Sequence, residues 1–167
     1  MRYPEQMKNL VTAVKKCNMN LLIAGFEQGG SEIEPLCRSY DKAEWYGRFD
    51  FKSEAAQLYG KCDVIYSVYD ADMANVRVAI PNKLYESIYC CLPIIVAKNT
   101  YLETIVKDWG VGVSVDHHSV QDLVDVLTEL KDNSELYNKI VSKCELHKQD
   151  VDLAPYNENL KQILIKF

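Results

Sequence analysis

The sequence predicts an α/β domain built on a parallel sheet with helices over both faces. Three observations carry this. Short runs dominated by apolar residues recur at 21–24, 63–68, 94–97 and 111–115, which suits strands buried on both sides. Several stretches between them repeat apolar residues at three- and four-residue intervals, the mark of amphipathic helices. The two kinds of segment alternate, and such alternation implies crossover connections and parallel strands.

Residues 4–17 predict a helix, with Pro4 in its first turn and Met7, Leu10, Val11 and Val14 at helical spacing. The run 21–24 is a strand ending at Gly25. A helix over 32–40 and a short strand over 43–46, closed by Gly47, come next. Ser53 is placed as the N-cap of a helix reaching Tyr59. A strand at 63–68 leads into a polar, irregular loop over 69–80. A helix over 82–91 precedes the strand 94–97. A helix at 101–107, a strand at 111–115 and a helix at 120–131 complete the alternation. In that last helix Leu123, Val124, Leu127 and Leu130 line one face behind a Ser119 cap. A further helix starts near Ser134, and Pro155 opens a terminal one with Leu160, Ile163 and Leu164 on one face. This is a Rossmann-like, doubly wound unit, and ligands of such folds bind beyond the carboxyl ends of the strands. The loops after Ala24, Tyr46, Val68 and Ala97 are therefore expected to line the site. The chain opens on a helix, whereas a doubly wound unit begins on a strand in mid-sheet. Two expectations compete: Met1 lies inside a larger protein and the sheet lacks its first strand, or the sheet closes up without it.

With 167 residues, 48% of them apolar and 26% charged, the chain suits one core-bearing domain. A net charge of −5 argues against a nucleic-acid groove, which needs a basic face. No apolar run reaches the roughly 18 residues of a membrane span, and no leader pattern stands at the N-terminus, so a cytoplasmic location is expected. Cys17, Cys37, Cys62, Cys90, Cys91 and Cys144 include no Cys-x-x-Cys pair and read as small buried hydrophobes rather than disulfides. His117, His118 and His147 have no Cys or Glu at ligand spacing. No metal site is expected, and His117-His118 reads as a solvated loop.

The most informative stretch runs from Pro81 to Ala97. Pro81 opens a short amphipathic helix, Lys83 and Glu86 stand three apart near its start, and Pro93 leads into an apolar strand. A helix N-terminus offers free N–H groups and a positive dipole end to a phosphate. Lys83 adds charge, and the Glu86 carboxylate, an acceptor only, suits a vicinal sugar diol. These are the parts needed to hold a nucleotide, and a nucleotide-sugar in particular.

Asn20-Leu21-Leu22-Ile23-Ala24-Gly25, Trp45-Tyr46-Gly47-Arg48, Leu58-Tyr59 with Cys62-Asp63-Val64, Pro81 to Pro93, Glu103-Thr104-Ile105-Val106 and Gly110-Val111-Gly112 follow in one order. That order resembles the C-terminal, donor-binding half of GT-B-type glycosyltransferases of group 1 (family 4), over residues 4–145. The resemblance implies a domain at 1–154 that binds nucleotide-sugar and a helix at 155–167 that crosses back to an N-terminal domain. It implies that Glu86 binds the ribose hydroxyls, with Lys83 near the diphosphate and Pro81 and Asn82 beside it. Gly47 and Arg48 would contact the base, and Gly25 and Phe26 would form the loop after the second strand of the complete fold. Asn99, Thr100 and Tyr101 would form the loop near the pyrophosphate and sugar.

The implied reaction moves a sugar, with retention, from a UDP- or GDP-sugar to an acceptor hydroxyl. No metal or other cofactor is implied, and acceptor and catalytic base would come from the N-terminal domain, so this chain alone would be inactive. Subfamilies with a Pro-x-Lys-x-x-Glu motif often build surface polysaccharides, with peripheral membrane association of the full-length protein. The departures are specific. The family's first Glu, eight residues before the second, is replaced by Val78, and the glycine pair is missing from 99–102. Cys91 stands where a helix-ending Gly is usual. Two other readings stay open, a non-catalytic nucleotide-binding or interaction module and a GT-B-type nucleotide-sugar epimerase. A receiver-like domain is disfavoured because the strand 21–24 ends in Ala-Gly without an acidic cluster.

Overall fold

A computed structural model describes residues 3–25 and 32–152. The Phe26 contact and the terminal helix at 155–167 lie outside the described residues. In chain order the elements are α1 (Pro4–Lys16), β1 (Leu21–Ala24), α2 (Ile33–Arg38), β2 (Ala43–Gly47), α3 (Phe51–Tyr59), β3 (Ile65–Ser67), α4 (Ala74–Val78), α5 (Asn82–Tyr89), β4 (Ile94–Ala97), α6 (Tyr101–Trp109), β5 (Gly112–Val115), α7 (Val120–Asp132) and α8 (Ser134–Val151).

Every ladder is parallel, as the alternation requires. β1 pairs with β2, Leu21 facing Ala43, and slips register by one residue between Ile23 and Ala24. β4 is the centre of a second ladder, with β3 on one side and β5 on the other. The two ladders are separate: the strand order is β1-β2 and β3-β4-β5. Among the described residues the sheet therefore does not close up between β1 and β3. A strand inserted there would complete the 3-2-1-4-5-6 order of a doubly wound sheet.

α1 spans the two halves. Its Leu10, Ala13 and Val14 belong to the main core with Ile65, Ile94–Ala97, Val115 and Leu123. Its Val11 belongs to a smaller core with Ile23, Ile33 and Cys37. Tyr66 on β3 donates from its hydroxyl to the Gln6 carbonyl at 2.9 Å, and Tyr40 donates to the Met19 carbonyl at 2.8 Å. All four residues of β4 are buried, and each large apolar side chain so placed contributes about 1.5–3 kcal/mol.

Three local expectations are corrected. The helix toward Tyr59 starts at Phe51, and its cap is Asp50, whose carboxylate accepts from the Ser53 N–H at 2.9 Å. Glu54 returns a bond to the Asp50 N–H at 2.6 Å, so the cap is reciprocal. The loop 69–80 contains the short helix α4, which buries Val76 against the body. The strand predicted over 63–68 is only three residues long, Ile65–Ser67. The Ser119 cap is present, accepting from the Asp122 N–H. The six cysteines are free thiols.

Gly112 opens β5 directly beside β4. A Cβ there would lie 2.0 Å from the Ile94 carbonyl oxygen and 2.7 Å from the Ile94 Cγ2. The β4–β5 ladder can close only with glycine at that position. Gly112→Ala is therefore expected to destabilise by about 1–3 kcal/mol or more and to lower Tm by roughly 3–10 °C, read by calorimetry.

Candidate functional site

β3 runs out at Ser67, and the chain returns through α5 to β4. α5 thus begins on the side of the sheet where doubly wound folds take their ligands. Its N-cap is Pro81, in extended conformation, whose carbonyl accepts from the Leu84 N–H at 3.1 Å. Leu84, Ser87 and Ile88 bury one face of the helix. The helix ends in a Schellman motif: Leu92 N–H bonds to Ser87 O at 2.8 Å and Cys91 N–H to Ile88 O at 3.1 Å. Cys91 takes the left-handed position at φ 56°, the place where glycine is usual. Asn82 is exposed at the helix start.

Lys83 and Glu86 meet on the flank of α5. The Lys83 Nζ lies 2.8 Å from Glu86 Oε2, and the Glu86 side chain is 17% exposed. A third residue joins them. Tyr59, at the end of α3, donates its hydroxyl to the same Oε2 of Glu86 and accepts from Lys83 Nζ at 2.5 Å. The Lys83 ammonium also sits 5.1 Å from the centre of the Tyr59 ring. Burial, reinforced by the bond to Glu86, pushes the Tyr59 phenol up to about 12. Burial works against the Lys83 charge, but the bonds to Glu86 and Tyr59 outweigh it and raise its pKa. Both bonds to Glu86 fall on one oxygen. A carboxylate has acceptor capacity for about four, so the other oxygen can still take hydroxyl donors.

The remaining expected residues occupy strand-end positions. Gly25 follows β1 and its N–H donates to the Gly47 carbonyl at 2.7 Å, which ties the ends of β1 and β2 together. Gly47 holds a φ of 80°, a conformation that disfavours any side chain. Arg48 is exposed immediately after it. Asn99, Thr100 and Tyr101 form the turn from β4 into α6. Thr100 is the N-cap: its hydroxyl accepts from the Glu103 N–H at 3.1 Å and donates to the Ala97 carbonyl at 2.8 Å. Glu103 answers with a bond from the Asn99 N–H at 2.7 Å. Burial tends to raise the Glu103 pKa, yet bonds from Lys107, Ser114 and Asn99 hold it below the usual range. Tyr101 is exposed at the head of the helix.

The structure thus unites Glu86 with Lys83, and Gly25 with Gly47, as two separate pairs. It adds Tyr59, whose apolar spacing in the sequence announces only a helix end. A shallow groove of about 510 Å³ lies elsewhere, between the end of α5 and the last turns of α8, lined by Tyr89, Glu145, Leu146 and Lys148. The solvated-loop reading of His117-His118 holds for His118, which is exposed in a turn, and is corrected for His117. His117 is 9% exposed, and His118 meets Asp72 at 3.0 Å and Glu5 at 3.2 Å. Its pKa is raised by those two carboxylates, Asp72 first.

The parallel strands and the helices that connect them define a Rossmann-like α/β domain. The comparisons make this specific. The chain matches the family of glycosyl transferases group 1 over residues 2–146, and it belongs to that family. The crystal structure of WaaG, a glycosyltransferase involved in lipopolysaccharide biosynthesis, is 15% identical, with a TM-score of 0.69 over 92% of this chain and 41% of that one. HepE (Alr3699) of Anabaena, solved with UDP and glucose, is 15% identical, with a TM-score of 0.72 over 95% of this chain and 44% of its own. Sucrose-phosphate synthase (tll1590) of Thermosynechococcus elongatus is 17% identical, with a TM-score of 0.68 over 98% of this chain and 42% of its own. At these identities the likeness establishes the fold, a glycosyltransferase Rossmann-like domain. The chain spans less than half of each of those three chains. No curated protein matches it. No helix among the described residues is long and apolar enough to cross a membrane.

The Tyr59 phenol gives a signed pH dependence. Its folded pKa lies above the ordinary value of 10, and that of Lys83 is raised as well. The stability these groups add is complete below their unfolded values and is lost as pH rises through the folded ones. Urea unfolding should show stability falling between about pH 10 and 12, with a smaller fall in Tyr59→Phe. At neutral pH that variant should be less stable by about 1 kcal/mol.

Proposed function

We propose that this chain forms the donor-binding part of a glycosyltransferase and holds a nucleoside diphosphate sugar at the start of α5. The observation that carries the reading is the Tyr59–Lys83–Glu86 cluster. Lys83 and Tyr59 fix a largely buried carboxylate in one rotamer on the first turns of a helix whose N-terminus has no side-chain cap. A carboxylate so held recognises a ribose diol with little loss of side-chain freedom. The neighbouring N–H groups of α5 suit a diphosphate. As the glycosidic bond to phosphate breaks, charge develops on the leaving group, and fixed donors placed in advance stabilise it. Lys83 is close enough to that helix start to contribute, and its raised pKa keeps it cationic. Gly47 and Arg48 would contact the base, with Gly25 in the loop tied to Gly47, and Asn99, Thr100 and Tyr101 would form the loop near the pyrophosphate.

In this reading the donor is a UDP- or GDP-sugar, transfer proceeds with retention, and the acceptor site belongs to an N-terminal domain. The setting is bacterial surface polysaccharide synthesis in the cytoplasm, with the full-length protein resting on a membrane surface. The likeness to WaaG supports the setting, and the UDP held by HepE supports the donor class. A second reading, a nucleotide-binding module without catalysis, is favoured by one observation. Val78, in the family's first-Glu place, is 71% exposed at the end of α4 and brings no carboxylate.

Calorimetry with UDP, GDP and ADP, together with transfer assays of the full-length protein, tests the proposal. One of the three nucleotides should bind, more weakly to this chain alone than to the full-length protein. Glu86→Ala should weaken that binding at least tenfold and collapse transfer, while the loss of its bonds to Tyr59 and Lys83 lowers Tm by only about 4–8 °C and leaves the protein folded. No binding of any nucleotide by folded protein would overturn the site. Binding without transfer, indifferent to Glu86→Ala, would favour the module.

A further inference from the structure

Asp72, His117 and His118 converge at the strand-end side of the sheet, on the loop after β3 and the loop after β5. Each offers one ligand atom, and the three atoms all lie within 4.8 Å of one another. Asp72 Oδ2 is 3.0 Å from His118 Nε2 and 3.8 Å from His117 Nε2. A tetrahedral cation with ligand bonds of about 2.0–2.1 Å holds its ligand atoms roughly 3.3–3.5 Å apart. The two observed spacings bracket that value.

The second observation is independent of the clustering. His117 is nine-tenths buried, and its Nε2 has no hydrogen-bond partner although it is sealed from solvent. The nearest atom of opposite character, Asp70 Oδ1, stays 3.4 Å away. Burying an imidazole nitrogen without a bond costs free energy, and a cation among these side chains would remove that cost. Around His118 the arrangement is that of metal sites, where a carboxylate orients a ligating imidazole through its other ring nitrogen. Glu5, at the start of α1, lies 3.2 Å from the Nδ1 of His118. Asp70, on the same Nε2 side of His117, accepts the Asp72 N–H at 2.9 Å, which fixes the β3–α4 loop. The β5–α7 loop is held by the His118 N–H bond to Asp116 at 2.9 Å and by Asn9, which donates to the His117 carbonyl at 3.3 Å.

We propose that Asp72, His117 and His118 bind a divalent transition-metal cation of the zinc type, with Glu5 bracing the His118 imidazole. Two imidazoles and one carboxylate are a borderline-soft set that suits zinc rather than magnesium or calcium. Three protein ligands leave one coordination position open. The cation would pin the head of α1 to two strand-end loops. This inference is independent of the nucleotide site. Spacing in the sequence could not show it, because Asp72 stands 46 residues from His118.

The test is titration of chelator-treated full-length protein with zinc chloride, followed by calorimetry and by thermal unfolding. One zinc should bind per chain, tightly enough to raise Tm, while magnesium and calcium do neither. Asp72→Asn and His118→Ala are surface changes that should fold as the wild type does and weaken zinc at least tenfold. Glu5→Gln should weaken it about tenfold through orientation alone. Cobalt(II) in the same site should give d–d absorption without a thiolate charge-transfer band. Absence of saturable zinc binding would overturn the proposal. So would binding that survives both Asp72→Asn and His118→Ala, or a thiolate band assigning the metal to the cysteines.

Discussion

The packing of α1 across a divided sheet is the constraint on which this structure rests. Among the described residues β1-β2 and β3-β4-β5 share no ladder, and side-chain contact through α1 joins them. One turn of α1 does most of this. Leu10 and Val11 are adjacent in sequence yet serve different cores, because successive residues of a helix project about 100° apart. Tyr66 adds a hydrogen bond from β3 to the helix backbone. The relative placement of the strand ends, and hence of every loop that carries a candidate ligand group, follows from this helix.

On that frame the chemistry is concentrated on one short helix. α5 is apolar on one face, ends in a strained left-handed residue at Cys91, and carries Lys83 and Glu86 on its flank. Tyr59 converts an ordinary i,i+3 ion pair into a three-membered cluster. An exposed pair of this kind would contribute little. Partial burial and a shared oxygen hold this one in place, and a fixed carboxylate loses less freedom on gripping a ligand than a mobile one would. The group 1 glycosyltransferase family supplies the context, and the geometry supplies the physical reason that Glu86 is the group to watch.

Much of the fold was legible in the sequence because the signals were local. The apolar run Ile94–Ala97, the Ser119 cap and the spacing of Leu123, Leu127 and Leu130 each specify an element without help from the rest of the chain. The errors were also local in origin. Ser53 and Asp50 are both good caps, and the reciprocal bond from Glu54 decided for Asp50. The helix α4 has only five residues, and tertiary burial of Val76 rather than periodicity supports it. The site was half legible. Lys83 and Glu86 lie on one turn, so spacing paired them. Tyr59 reaches them from 27 residues away, and Asp72 reaches His118 from 46. Contacts of that range are set by the crossover topology and leave no trace in spacing.

What the carboxylate of Glu86 touches when a nucleotide is bound is the decisive contact. A crystal structure of the full-length protein with UDP or GDP would show this directly. The ribose hydroxyls should lie within hydrogen-bond distance of Glu86, with Tyr59 and Lys83 still on its opposite oxygen and the diphosphate over the start of α5. A nucleotide seated elsewhere, with the Tyr59–Lys83–Glu86 cluster closed and untouched, would contradict this.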